Sequence, residues 1–399
     1  NTTLSFKNVP VSSLNITQAT TATAGTLISP SSVQTNISTP TVLSWTFKVE
    51  QQILPDTSLT VGYVGSHGYH QILSAALNQP TAVVCPNPSC VAGLAGGTIY
   101  FPGIVKANPA LANSTSWVSQ GISNYHALEV DVRRNLAHGL QIRGNYTWSK
   151  NLDNGSAWNT SVSANTPAFV SYPANPRVDY GASAADVRNI ATINGTYDLP
   201  FGRNHAFASG FKPFADRVVS GWSLSAITSL QSGFPFSPQL GYNPTGNGDT
   251  RNPIRPDVNP NFSGKLYPRT VAQWFNPNAF QAPLSTLNPT TSAITGGAVG
   301  NVHRDTLVGP GLSNLDVSLL KSTQLTERVR AQFRAEFFNL LNHTNLTTPN
   351  ETTFAAAPTI TTVNGIKTYT PPPVSTTAGV ITATATTSRQ IQLGLKLLF

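Results

Sequence analysis

Charge is scarce in this sequence of 399 residues. Asp, Glu, Lys and Arg together make up 10%, against roughly a quarter in ordinary soluble domains. The hydrophobic fraction, 39%, does not fill the deficit. Ser, Thr, Asn, Gly and Pro do, a mix poor for helices and suited to strands, turns and long polar loops. Met is absent, and no basic start with an apolar run marks a signal peptide, so a fragment or a processed form is expected. No apolar stretch reaches the ~18 residues of a transmembrane helix. A membrane stays open, because a barrel strand needs only about 9–11 residues with every second one apolar. The net charge of +8 is scattered as single residues, denser only at Arg133-Arg134 and Arg328 to Arg334. With no basic patch or stripe, no nucleic-acid partner is expected. Cysteine occurs twice, at Cys85 and Cys90. That spacing suits a small disulfide loop in an oxidising compartment, with two free thiols as the alternative, and is too few ligands for a metal site.

What is present is alternation with a period of two. Ile391, Leu393, Leu395, Leu397 and Phe399 fall on one face of the last segment, and Gln390, Gln392, Gly394 and Lys396 on the other. The same pattern runs through Leu43–Val49, Leu59–Tyr63, Leu128–Val132, Leu140–Trp148, Ala191–Leu199, Trp222–Leu230, Leu315–Leu319 and Val329–Phe337. About nine strands follow.

The links between them decide the architecture. Short turns at Pro55-Asp56, Asn135–Gly139 and Ser322–Glu327 alternate with long polar links at Ser66–Ser123, Lys150–Asp186, Ser232–Leu312 and His343–Ser388. Pro200–Ser220 is intermediate. Up-and-down membrane barrels alternate tight periplasmic turns with long outer loops, whereas several structureless loops beyond ~15 residues count against a compact soluble domain. The expected fold is therefore all-β, an antiparallel up-and-down transmembrane β-barrel. Residues 1–40 would be the remnant of an extracellular loop, and 41–399 the C-terminal portion of the barrel. An odd strand count implies that further strands precede it, since single-chain bacterial barrels have even numbers. Trp45, Tyr63, Tyr146, Trp148 and Phe337 lie toward outer strand ends, and Tyr197, Trp222 and Phe399 toward inner ends, as two interfacial belts in lipid would require.

An ordered series of short motifs sharpens this. Tyr63-Val64-Gly65-Ser66, Ser123-Asn124-Tyr125-His126-Ala127-Leu128, Asn145-Tyr146-Thr147-Trp148-Ser149-Lys150, Asp198-Leu199-Pro200-Phe201-Gly202-Arg203, Gly221-Trp222, Gln231-Ser232-Gly233-Phe234-Pro235, Phe333 to His343 and the terminal Leu397-Leu398-Phe399 follow one another. From about Leu43 onward the chain resembles the C-terminal barrel of TonB-dependent outer-membrane receptors of the Oar-like group. The resemblance implies a Gram-negative outer-membrane location and a barrel of 22 strands. It also implies an N-terminal plug that contacts TonB and an upstream carboxypeptidase-regulatory-like domain, none of which is in this sequence. Ile391, Leu393, Leu395, Leu397 and Phe399 would form the signal read by the barrel-assembly machinery. Other expected partners are outer-membrane lipid, the preceding barrel half and an unidentified solute.

On the polar face, Glu129, Asp131, Arg133, Arg143, Arg328, Arg330, Arg334 and Glu336 stand out as lumen-facing residues that contact the plug or line a solute path. Mutual pairing inside a wet barrel is the plainer alternative. His67 and His70 are a weak ligand pair with no Asp or Glu nearby. No Gly-x-Ser-x-Gly elbow and no His pair flanking a Glu is present. No cofactor, metal or enzymatic activity is expected. Import of a large or scarce solute is the expected function, and a non-transporting surface barrel for adhesion or envelope organisation is the rival. The outer loops at 67–121, 150–186, 232–311 and 343–388 would capture ligand.

Overall fold

The computed structural model describes residues 27–86, 93–156, 169–202, 206–251 and 254–399. Nine long strands pair in chain order, each antiparallel to the next. They are β1 (Thr41–Leu54), β2 (Thr57–Ala75), β3 (Thr115–Ala137), β4 (Leu140–Asp153), β5 (Asn189–Asp198), β6 (Trp222–Gln231), β7 (Leu312–Gln324), β8 (Arg330–Phe338) and β9 (Gln390–Leu398). Among the described residues, β1 pairs only with β2 and β9 only with β8, so the sheet is open at both edges. Two short segments attach to it, Ser31–Val33 running parallel to Thr115–Trp117 and Gly181–Ala182 beside β4.

Pairing preserves the alternation from strand to strand, because residues opposite each other share a face. Val49, Val61, Val130, Tyr146, Ala191 and Leu230 form one continuous apolar row. Leu224, Leu319, Ala335 and Leu393 form another. Apart from Ala335, which is buried, these side chains are open or half-open. Phe47 is 69% exposed and Leu395 73%, and Trp45, Tyr63, Tyr146 and Trp148 are also exposed. A water-soluble sheet of this size would cover such a face; the outward surface of a membrane barrel leaves it to lipid. Among the described strand residues, charge on this face is confined to Arg134, Lys150 and Lys321, all near strand ends.

The buried core lies elsewhere, in the long links. Phe236, Leu240, Phe275, Phe280, Val302, Leu307 and Phe354 pack together, with Tyr242, Trp274 and Val374 against them. A four-stranded sheet joins Val83–Val84 and Ile99–Phe101 from the β2–β3 link to Ser285–Leu287 and Ile294–Ala298 from the β6–β7 link. Gln239–Leu240 pairs with Thr352–Phe354, so the β6–β7 and β8–β9 links are also joined. The long links are thus not structureless. They form one packed cap at the end of the sheet opposite the tight turns.

The loop limits expected from the sequence shift accordingly. β2 continues to Ala75 and β3 begins at Thr115, so the strands rise well past the expected loop 67–121. Leu73, Ala75 and Val118 are buried there with Val170, which anchors the cap on the strand extensions. At the other end, the β5–β6 link contains a helix, α1 (Pro213–Val219), that alternation did not predict.

Candidate functional site

The polar face of the sheet carries a ladder of charge. Lys48, Gly62 and Glu129 lie opposite one another on β1, β2 and β3. Lys48 Nζ reaches across the glycine to Glu129 Oε2 at 2.8 Å. A Cβ at position 62 would sit 2.8 Å from Lys48 Cγ, so the crossing depends on that glycine. The next steps bring Asp131, Arg133 and Arg143 together, with Arg133 directly opposite Arg143. Arg143 Nε donates to Asp131 Oδ2 at 3.0 Å. Glu50, Asp131, Arg133 and Arg143 line a hollow of about 650 Å³ near the tight-turn end. On the far side of the sheet, Arg334 and Glu336 approach to 3.7 Å, and Arg330 Nε donates to Gln324 Oε1 at 3.2 Å.

Seven of the eight charged residues singled out from the sequence therefore share one face and fall into two groups, 129–143 and 330–336. Arg328 does not join them. Val329 N bonds to Thr326 O, which closes the β7–β8 turn before β8 begins, and leaves Arg328 exposed in that turn. Lys48, a partner in the ladder, was overlooked. These pairs are half-exposed, so each contributes about 0–1 kcal/mol and remains free to exchange partners.

A second ionic cluster, not foreseen, lies where the cap meets the sheet. The link between β6 and β7 supplies Arg251, Arg255 and Arg304. Arg304 donates to the Asp153 carboxylate at the outer end of β4 and, at 2.6 Å, to its carbonyl. Arg255 Nη2 pairs with Asp179 Oδ1 at 2.7 Å, with both side chains about 5% exposed or less. A 3-10 turn, Pro176–Asp179, capped by Asn175, places Asp179 there, and Ser171 donates to it twice at 2.7 Å. Arg251 grips Asp249, reaches Thr115 Oγ1 on β3 at 2.8 Å, and stacks on Phe169 at 4.0 Å from the ring centroid. Lys150 pairs with Asp186 alongside. Burial raises the Asp305 carboxyl to about 6, against the pull of Arg304 and a hydrogen bond from Ser237. Burial, with the nearby Asp305 charge, raises Glu351 to about 7. A chain so poor in charge has sited a large share of it at this junction. The lone arginines among Ser, Thr and Asn in the 232–311 link were the only sequence signal.

The remaining expected positions fall as follows. Ile391, Leu393, Leu395 and Leu397 lie on the exposed outward face of β9, and Phe399 just beyond it is 92% exposed. His67 Nδ1 lies 2.7 Å from Asn124 Oδ1. No group of three or more His, Cys, Asp or Glu residues is poised to hold a metal among the described residues. Cys85 is buried, while Cys90 lies outside the described residues.

With an open apolar face, a charged opposite face and tight turns at one end, the sheet has the anatomy of a membrane barrel wall. A family model, the outer membrane beta barrel domain, matches residues 1–392. The chain belongs to the outer membrane beta barrel family. Its location is the outer membrane of a Gram-negative bacterium, and the apolar rows from Phe47 to Leu395 face lipid. A search of curated proteins finds no match. Among solved structures, this barrel domain is similar to the outer membrane transporter YddB from Escherichia coli, with a TM-score of 0.38 and 10% identity over 93% of this chain and 34% of that one. The chain thus spans about a third of that transporter's length.

Proposed function

We propose that this barrel segment belongs to a TonB-dependent receptor of the Oar-like group, which imports a large or scarce solute with energy drawn from the inner membrane. The observation that carries the proposal is the pairing of a charged lumen wall with a folded outer cap. Half-exposed pairs such as Lys48–Glu129 and Arg143–Asp131 can re-pair with a plug or a passing solute at little cost. The cap offers a rigid capture surface, because buried ion pairs tie its links to one another and to the end of β4. The ordered motifs from Tyr63 to Phe399 add support. The cap's role is binding and not catalysis.

The test is genetic and direct. The gene region upstream of Asn1 should encode a plug with a TonB-contacting segment, and uptake of the receptor's solute should vanish when TonB is deleted. A full-length protein without a plug, or growth and uptake indifferent to TonB, would sink import. The rival reading, a surface barrel for adhesion, draws on the Thr359–Val363 and Ile366–Thr370 hairpin, which leaves Val363 and Ile366 open on the cap. Loss of surface attachment on deleting residues 359–370, with uptake intact, would favour it.

A further inference from the structure

The β5–β6 link is the one connection at the tight-turn end that is not tight. Among its described residues it leaves five large apolar side chains open: Phe201, Phe207, Phe211, Phe214 and Val218, with Phe214 81% exposed. Phe214 and Val218 are four apart on α1 and share one face, and Phe211 lies just before the helix. The helix is nonetheless firmly held. Trp222 Nε1 donates to Val218 O at 3.0 Å, Thr323 Oγ1 donates to Arg217 O at 3.0 Å, and Lys321 Nζ donates to Ser220 O. Gly221 makes the reversal into β6 at φ +72°, where a Cβ would lie 2.3 Å from Ser322 O. Trp222 and Lys321 are opposite each other on the outward face, and Lys321 Nζ lies 5.7 Å from the Trp222 ring. Residues of the lipid-facing side, not of the lumen side, therefore pin α1.

We infer that the 206–220 link is an interfacial anchor embedded in the lipid leaflet at the tight-turn end of the barrel. Its occupant is phospholipid, because the open patch is continuous with the apolar rows that already face the bilayer. Phe207, Phe211, Phe214 and Val218 enter the acyl region, while Lys212, Arg217 and, at the end of its long side chain, the Lys321 ammonium reach toward anionic headgroups. Tight turns face the periplasm in such barrels, so the leaflet is the periplasmic one. The inference rests on outer-membrane location alone and is independent of solute import.

Fluorescence quenching tests it. Phe214→Cys, and Asp56→Cys in the neighbouring tight turn as a water-exposed control, are made in a Cys85→Ser, Cys90→Ser background and labelled with bimane. A Val218→Cys label serves if position 214 does not tolerate the change. The full-length protein is placed in nanodiscs of phosphatidylethanolamine and phosphatidylglycerol. The label at 214 should be quenched several-fold more by lipid carrying a doxyl group near the headgroup than by aqueous iodide, and the label at 56 the reverse. Equal iodide access at 214 and 56 would overturn the anchor. Shielding of 214 from both quenchers would overturn it too, since that marks a protein partner over the patch.

Discussion

Adjacent residues Ser318 and Leu319 on β7 point to opposite faces, and an arginine at each should have very different effects. Leu319 pairs with Leu224 and Ala335 on the outward side. It stands five residues from Gln324, where β7 ends at its tight turn. At about 3.4 Å per residue and a tilt of about 40°, it lies about 13 Å above that end, near the middle of an apolar band about 25 Å tall. Leu319→Arg should therefore cost roughly 2–4 kcal/mol, the range for arginine at the midplane. At 1.4 kcal/mol per tenfold, the folded-to-unfolded ratio falls roughly 30- to 700-fold. Ser318 instead lies opposite Glu336 on the lumen face. There Ser318→Arg meets a carboxylate in water and should change stability by less than about 1 kcal/mol. The assay is urea-dependent folding of the full-length protein into lipid vesicles, read by the gel shift of heat-modifiable barrels, alongside the amount of each variant in isolated outer membranes. Equal tolerance of the two, or greater damage at 318, would refute the facing of β7 and of every strand paired to it.

Other outcomes follow from the ionic clusters. Arg304→Ala leaves Asp153 and Asp305 buried without their shared partner and should destabilise the cap by about 3–5 kcal/mol. Amide exchange should rise across 232–311 and 343–388 while β5 to β9 stay protected. Lys48→Gln removes a half-exposed pair and should shift stability by no more than about 1 kcal/mol, measured in the same urea titration. The raised carboxyls give the cap a pH dependence of definite sign. Native Asp305 and Glu351 hold protons up to about 6 and about 7, whereas unfolded carboxyls release theirs near pH 4. The folded cap therefore binds more protons across that window and loses stability as pH rises from about 4 to about 7. Cap exchange, corrected for intrinsic rates, should be slower at pH 5 than at pH 8, and Glu351→Gln should flatten the difference.

The strands were legible because lipid imposes a rule that every strand obeys. A side chain that faces hydrocarbon must be apolar, its neighbours in sequence face the lumen, and a period of two results. The rule ends where the lipid ends. Alternation carried through Val329 put Arg328 on the wall, but the turn hydrogen bond from Val329 N to Thr326 O stops β8 short of it. The cap obeys no such period. Its core residues Phe236, Phe275, Phe280, Leu307 and Phe354 are single aromatic or aliphatic residues spaced irregularly through polar links, and they meet only after two links converge. Helix α1 was hidden for a related reason, since seven residues give barely two turns of pattern.

The scarcity of charge takes on a different meaning once these parts are assembled. Hydrocarbon excludes ions from the outward face, and the three that occur there, Arg134, Lys150 and Lys321, lie near strand ends, where a long cationic side chain can reach headgroups or water. Two of the other groups of charge have opposite physics. On the lumen wall, Lys48–Glu129 and Arg143–Asp131 are wet pairs that cost little to break, so they are free to exchange partners. At the cap junction, Arg255–Asp179 and Arg304–Asp153 are dry. Breaking either strands a buried charge, so they hold one arrangement of the loops against all others. The same residue types thus serve mobility on one surface and fixity on the other, and water alone sets the difference. That division predicts where tolerance to substitution will change along the chain: at the outer ends of β3 and β4, near Thr115 and Asp153, where the wet wall gives way to the dry junction.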